Sequence, residues 1–277
     1  SRYFIQAEEQ LKGSGIELFK LKIPHTPEHI PWLAGSLPSG AKVGIDDRIF
    51  LLGMVQYIRE GLTGAGIQLF TGVDLLSPIW IDQPPVPDDP LFVHDIRFAG
   101  VSRSGKVEKI RNEMNSLNVD FHLIATLDDI AWLLNLRGRD ISFCPFFISY
   151  CVISSDQTHL FIHPDKIPDA VARELSEDKI VIHPYETINR FLEKLPQGKT
   201  VYYSPDKVNH ALIQSIPTGV EQKQGMNIST RLKAIKNRYE IEGIKRAMVK
   251  DGTAWVKTLH WIDRQLKSGI AESEWSV

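Results

Sequence analysis

The sequence predicts an α/β fold, and three observations carry that expectation. Short apolar runs with strand character alternate with stretches of helical periodicity along most of the 277 residues. A proline- and aspartate-rich stretch, Asp82-Gln83-Pro84-Pro85-Val86-Pro87-Asp88-Asp89-Pro90, interrupts that alternation once. A long amphipathic segment then follows from Asn237, with apolar residues at Ile241, Ile244, Met248, Trp255, Leu259, Ile262 and Leu266.

Taken in order, Arg2-Tyr3-Phe4-Ile5 reads as a strand and residues 7–11 as a helix. Residues 16–21 alternate apolar with polar side chains, which predicts a second strand, and Thr26-Pro27-Glu28 opens a short helix carrying Trp32 and Leu33. A strand at 41–46, a helix over 50–61 and a strand at 67–70 complete a βαβαβ-like first unit spanning 1–83, its own N-terminal part expected to be missing. Four prolines within 82–90 remove ladder donors and stiffen the backbone, so residues 84–97 are read as a linker.

The second unit, 98–230, opens with an amphipathic helix at 104–118 and a strand at 120–126. Residues 128–135 are helical. The apolar run 143–154 pairs with 158–163 across Ser155-Asp156-Gln157 as a β-hairpin. Strands at 180–182, 200–203 and 219–223 alternate with helices at 186–195 and 208–216. Asn237 followed by Glu240 forms a capping-box-like start for the last helix, and Lys267 and Gly269 suit its far end. At about 1.5 Å per residue that helix is roughly 45 Å long. With no later segment to cover its stripe, residues 231–277 read as the opening of a further, truncated domain. Fraying, packing on the second unit, or homodimer formation with a second copy would be its recourse.

A formal charge of −2 argues against nucleic acid and anionic membrane as partners, since both demand a concentrated positive field. The densest basic cluster, Arg231, Lys233, Lys236 and Arg238, precedes Glu240 and Glu242 and reads as a solvated helix start. Two cysteines, Cys144 and Cys151, are too few for a disulfide scaffold and suit a reduced, cytoplasmic chain. No run reaches the roughly eighteen apolar residues of a membrane span.

Signatures of a self-contained active site are absent: no nucleophile elbow, P-loop, dinucleotide fingerprint, H-E-x-x-H or C-x-x-C. His25 and His29 have a ligand-like spacing, but Pro27 lies between them and no third ligand accompanies them. His159 and His163 share one strand face, and Pro164 interrupts the strand before Asp165. The segment 126–140, Thr-Leu-Asp-Asp-Ile-Ala-Trp-Leu-Leu-Asn-Leu-Arg-Gly-Arg-Asp, admits two accounts. In one, Asp128 is an N-cap, Trp132 is core and Gly138 stops the helix. In the other, Arg137 stands at a cleft edge, where its planar donor fork holds a substrate carbonyl or carboxylate.

Four segments carry a resemblance: Arg2-Tyr3-Phe4-Ile5-Gln6-Ala7; residues 127–138; Cys144-Pro145-Phe146-Phe147-Ile148-Ser149-Tyr150; and Ala234-Ile235-Lys236-Asn237 with Glu240, Glu242, Gly243, Arg246, Ala247 and Asp251. In these the chain resembles the cytosolic, three-domain type of Xaa-Pro aminopeptidase, with Cys144 where the family often has asparagine. The resemblance implies two creatinase-like N-terminal α/β domains with mixed sheets, followed by the first helix of a truncated pita-bread domain. It implies a hydrolase that removes the first residue from peptides with proline in second position. Two divalent metal ions, commonly manganese, serve that family through two aspartates, a histidine and two glutamates, all expected beyond Val277. No metal ligand or catalytic base is therefore assigned in this chain, which is expected to be inactive alone. Arg2 and Arg137 are the expected substrate-cleft contacts. Two alternatives stay open: a noncatalytic peptide-binding module with a peptidase-like fold, as in certain histone chaperones, and a prolidase or creatinase relative.

Overall fold

A computed structural model describes residues 2–23, 25–274 and 276. The chain divides into two compact units, residues 1–83 and 84–277. Among the described residues, no helix is long and apolar enough to cross a membrane.

The first unit contains α1 (Arg2–Gln10), α2 (His29–Ser36), β1 (Lys42–Gly44), α3 (Leu52–Thr63) and β2 (Gln68–Phe70). Its two strands pair in parallel, Val43 opposite Leu69. The helix between them packs Ile58 and Leu62 with Ile30 of α2 and Ile67. Its apolar positions recur at Leu52, Val55, Ile58 and Leu62, steps of three and four that line one helical face.

Two strand expectations fail here. Residues 2–5 belong to α1, where Ala7, Glu8, Glu9 and Gln10 favour helix. Residues 16–21 are irregular. The alternation there meets no neighbour to complete a ladder, and Ile16 and Phe19 remain 64% and 50% exposed.

The second unit begins without ladder structure over 84–90, as the prolines dictate. The expected linker 84–97 nonetheless includes β3 (Phe92–Val93) and the start of α4 (Ile96–Ala99). Next come α5 (Arg103–Ser116), β4 (Phe121–Ile124), α6 (Leu127–Leu134), β5 (Leu136–Arg137), β6 (Tyr150–Ile153), β7 (Thr158–Phe161), α7 (Asp169–Glu177) and β8 (Ile180–His183). They are followed by α8 (Ile188–Leu192), β9 (Thr200–Tyr203), α9 (His210–Gln214), β10 (Glu221–Gln224), α10 (Ile228–Ala234) and α11 (Arg238–Lys267).

Six of these strands form one mixed sheet in the order β10-β9-β4-β6-β7-β8. β10, β9 and β4 run parallel, β6 pairs antiparallel with β4 and β7, and β8 is parallel to β7. The hairpin forms where expected, but only Tyr150–Ile153 of the run 143–154 enters it. Upstream, Phe143 turns the chain with φ 64°, and Pro145 has no N–H to donate. One sheet face carries Ile124, Cys151, Ile153 and Leu160 against Ile110 and Met114 of α5 and Ile130 and Leu134 of α6. These are among the most buried residues of the chain. β3 and β5 pair separately, Phe92 opposite Arg137.

The last helix starts where the sequence places it. Asn237 Oδ1 accepts from the N–H groups of Tyr239 (2.9 Å) and Glu240 (3.1 Å), and Glu240 Oε2 accepts from Asn237 N–H (2.9 Å). No residue of α11 is buried, and Met248, Trp255 and Leu259 are 61%, 61% and 57% exposed. The basic cluster before it is not simply solvated. Lys233 lies within α10 and ion-pairs with Asp128 and Asp129, while Arg231 pairs with Glu113 (2.7 Å).

Candidate functional site

The segment 126–138 is assembled from local rules, though not the expected ones. Thr126, not Asp128, occupies the cap position of α6, and its hydroxyl donates to Asp129 Oδ2 (2.9 Å). Asp128 and Asp129 lie in the first turn, where the helix dipole favours negative charge. The helix ends at Asn135, not Gly138: Asn135 takes the left-handed conformation at φ 50°, and its N–H reaches back to the last turn. Gly138 is needed for space. A Cβ there would stand 2.7 Å from Phe147 Cβ and 2.8 Å from Phe146 O.

Asp129, fully buried, joins α6 to α10. Its Oδ2 accepts from Thr126, Asn227, Ser229 and Thr230, and its Oδ1 lies 2.6 Å from Lys233 Nζ as an ion pair outside good hydrogen-bond direction. Burial alone would raise this carboxyl. The ion pair with Lys233 and the hydrogen bonds from Thr230 and Thr126 outweigh it and hold the group below the usual carboxylate range.

Arg137 leaves β5 half-buried. Its Nη1 donates to the carbonyls of Ala131 and Leu136, both at 2.8 Å. Among the described residues, its Nε and Nη2 have no hydrogen-bond partner, so one edge of the fork stays available. Burial lowers its pKa, opposed by the charge of Glu240, yet a guanidinium stays protonated.

Three further side chains frame it. His94 donates its main-chain N–H to Asn135 O (2.7 Å), and its ring stacks on Phe98 with centroids 5.8 Å apart. Burial, then the charges of Arg137 and Lys106, pull the imidazole below its ordinary pKa, so it is neutral at pH 7. Lys106, 3% exposed, donates to Trp132 O (2.7 Å) and Asn135 Oδ1 (2.6 Å) and sits 4.4 Å above the Trp132 ring. Burial is the main cause that brings its ammonium down to about 8; Glu240 opposes this and Arg137 reinforces it. Trp132 Nε1 donates to Glu240 Oε1 (3.1 Å), so the capping glutamate of α11 also ties that helix to α6.

A planar cation with a free donor edge beside a neutral imidazole can hold a carbonyl or a carboxylate. Arg137, the expected substrate contact, lies in this cluster. Arg2 contributes backbone to α1, and its side chain lies outside the described residues. His94, Lys106 and the second role of Glu240 escaped the sequence reading. Lys106 left one signal: it flanks the stripe Arg103, Val107, Ile110 and Met114, a position facing the core. The histidine spacings resolve differently. His25 sits in a turn at φ 61° and His29 begins α2. His163 is exposed and 3.8 Å from Asp165, whereas His159 Nδ1 contacts His183 Nε2 on β8 at 3.0 Å.

With this geometry in view, comparison with known proteins adds independent findings. The profile of the creatinase/prolidase N-terminal domain family matches residues 82–240, more than half of the chain. The chain is 31% identical over 281 aligned residues to Xaa-Pro aminopeptidase ApepP of Drosophila melanogaster, covering 99% of this chain and 45% of that protein. It is 32% identical over 291 residues to Xaa-Pro aminopeptidase 1 of Dictyostelium discoideum, with coverage of 100% and 46%. Among solved structures it is similar to the X-prolyl aminopeptidase of Caenorhabditis elegans, described as a cytosolic enzyme with a di-nuclear active site. That similarity has TM-score 0.86 and 28% identity, over 98% of this chain and 45% of that one. The chain thus spans a little under half the length of these relatives.

Proposed function

This chain belongs to the creatinase/prolidase N-terminal domain family, and from that premise we propose that it is the N-terminal region of an Xaa-Pro aminopeptidase. The whole protein would remove the first residue from peptides whose second residue is proline, in the cytoplasm. One observation carries this reading: likeness to Xaa-Pro aminopeptidases runs through 98–100% of the chain, well beyond the matched family domain.

In this reading residues 1–83 and 98–230 are the two N-terminal domains, 84–97 joins them, and 231–277 opens the catalytic domain. The bare apolar stripe of α11 would pack into that domain. Two divalent metal ions, commonly manganese, would act there as a Lewis-acid clamp on the scissile carbonyl. No residue of this chain is assigned to that centre; among those described, no three His, Cys, Asp or Glu side chains converge on one point. The chain's own part is to bind and orient. The free edge of the Arg137 guanidinium would hold a carbonyl or carboxylate of the peptide, and the N-terminal region would limit peptide length.

The test is an assay of the full-length gene product on a peptide with proline in second position, with and without added manganese. The expected result is release of the first residue, stimulated by the metal, and a raised KM with a smaller change in kcat for Arg137→Ala. The 277-residue chain alone should release nothing. Binding of such peptides by an intact protein that never cleaves them would replace this reading with that of a noncatalytic module.

A further inference from the structure

A second feature of the sheet is chemically distinct from the Arg137 cluster. On the face shared by β7 and β8, His159 Nδ1 and His183 Nε2 stand 3.0 Å apart. The strands run parallel with His159 opposite Val181 and Phe161 opposite His183, so the two imidazoles come from diagonal positions. Both rings are held by aromatic neighbours. His183 stacks on Phe161 with centroids 4.8 Å apart and 18° between planes, and Phe191 of α8 lies 4.6 Å from His159 and 5.9 Å from His183.

Each side chain is only partly exposed, covered by its aromatic neighbours with one side open to solvent. Burial, and for His159 also the neighbouring His183, keeps both rings below their ordinary pKa, the former at about 4. At neutral pH they are unprotonated and carry ligand lone pairs.

We propose that His159 and His183 form a chelating pair for a borderline divalent transition cation, preferring Cu2+ to Ni2+ and Zn2+. The preference follows from the paired imidazole donors and the general affinity order, and the spacing lets one ion reach both nitrogens. At a metal–nitrogen distance of about 2.0–2.1 Å, nitrogens 3.0 Å apart subtend roughly 95° at the metal. That is close to the cis angle of a tetragonal site, so one cation can be bound by both nitrogens. Cu2+ also heads the first-row affinity series. Among the described residues no third His, Cys, Asp or Glu joins the pair, so water fills the remaining positions. In the metal-free chain one ring donates its N–H to the other. On binding, that ring carries its proton on its other nitrogen instead, both rings rotate off the N···N line so that their lone pairs converge on the metal, and no proton is released.

The test is calorimetric titration of the 277-residue chain with Cu2+, Ni2+ and Zn2+, with electron paramagnetic resonance at one equivalent of Cu2+. The expected result is one site with two nitrogen ligands, Cu2+ bound tightest, and affinity lowered at least tenfold in His159→Gln and in His183→Gln but unchanged in His163→Gln. Unchanged affinity in either of the first two variants, or tighter Zn2+ than Cu2+, overturns the proposal. NMR of the unaltered chain serves as a check independent of variant folding. Substoichiometric Cu2+ should broaden amides of 158–161 and 180–183 first, and broadening first at any other histidine refutes the site.

Discussion

Replacing Gly138 by alanine adds a single methyl group, and the structure specifies what it meets. The new carbon would lie 2.7 Å from Phe147 Cβ, 2.8 Å from Phe146 O and 3.3 Å from Leu91 Cδ2. Carbon atoms in good contact sit about 3.5–4.0 Å apart, so the contact with Phe147 is roughly an ångström too close, and the 2.8 Å contact with Phe146 O is also well inside van der Waals distance. Two of the three obstacles do not move easily. Phe147 is fully buried, and Phe146 O accepts from Asp140 N–H (3.3 Å) in the same loop whose Gly138 N–H donates to Pro145 O (3.3 Å). Asp140 is anchored in turn by Ile148 N–H (2.6 Å) and by a buried ion pair with Lys166. With the backbone pinned at both ends, the cost belongs at the top of the overpacking range, about 2–3 kcal/mol. For a unit of this size that corresponds to a Tm lowered by roughly 4–12 °C.

Gly243 is the internal control. Its added Cβ meets nothing within 4 Å, and it lies inside α11. There alanine should stabilise the helix by up to about 1 kcal/mol. Thermal and urea denaturation of the two variants, followed by circular dichroism, would compare identical substitutions of opposite sign. A Gly138→Ala chain as stable as the parent, or a destabilised Gly243→Ala chain, would refute the packing argument.

Removing the carboxylate at Asp129→Ala should cost about 3–5 kcal/mol by denaturant titration, because Lys233 loses a buried counter-ion and four donors lose their acceptor. Acidification should destabilise the second unit. His122 is fully buried, and desolvation brings it down to about 4 in the folded chain. Its unfolded value is near 6.5, so the unfolded state binds the extra proton between those values and stability is lost as pH falls through that window. His122 alone should account for about 2 kcal/mol between pH 7 and pH 5, and His122→Leu should flatten that part of the pH–stability curve. Glu240→Ala removes acceptors for Trp132 Nε1 and Asn237 N–H. It should speed amide exchange at 237–241 severalfold while moving the global midpoint by only about 1 kcal/mol.

How far the sequence could be read depended on how local each cause is. The Asn237–Glu240 capping pair and the start of α11 were visible because both partners lie within one turn. The β6–β7 hairpin was visible because Ser155-Asp156-Gln157 separates two apolar runs that pair with each other. Residues 2–5 and 16–21 were misread because an apolar or alternating pattern shows only that a strand could form. A ladder needs a neighbour, and among the described residues of the first unit β1 pairs with β2 and nothing pairs with 2–5 or 16–21. Gly138 looked like a helix stop because glycine so often is one; its real constraint comes from Phe146 and Phe147, brought back against it by the loop.

By itself, then, the sequence determined the alternation of strands and helices, the break at 82–90 and the amphipathic character of α11. It also marked Arg137 as a residue worth following. Periodicity, caps and prolines act within a few residues, so they are written directly in the chain. Only the tertiary structure decided what surrounds Arg137. It set Lys106 against the face of the Trp132 ring, brought Glu240 across 108 positions to the same indole, and gathered donors from 227–230 around Asp129. The pairing of His159 with His183 rather than with His163 was decided in the same way. Burial and charge at such points depend on which distant segments meet, and that is settled only when the sheet closes its register and the helices cover its face.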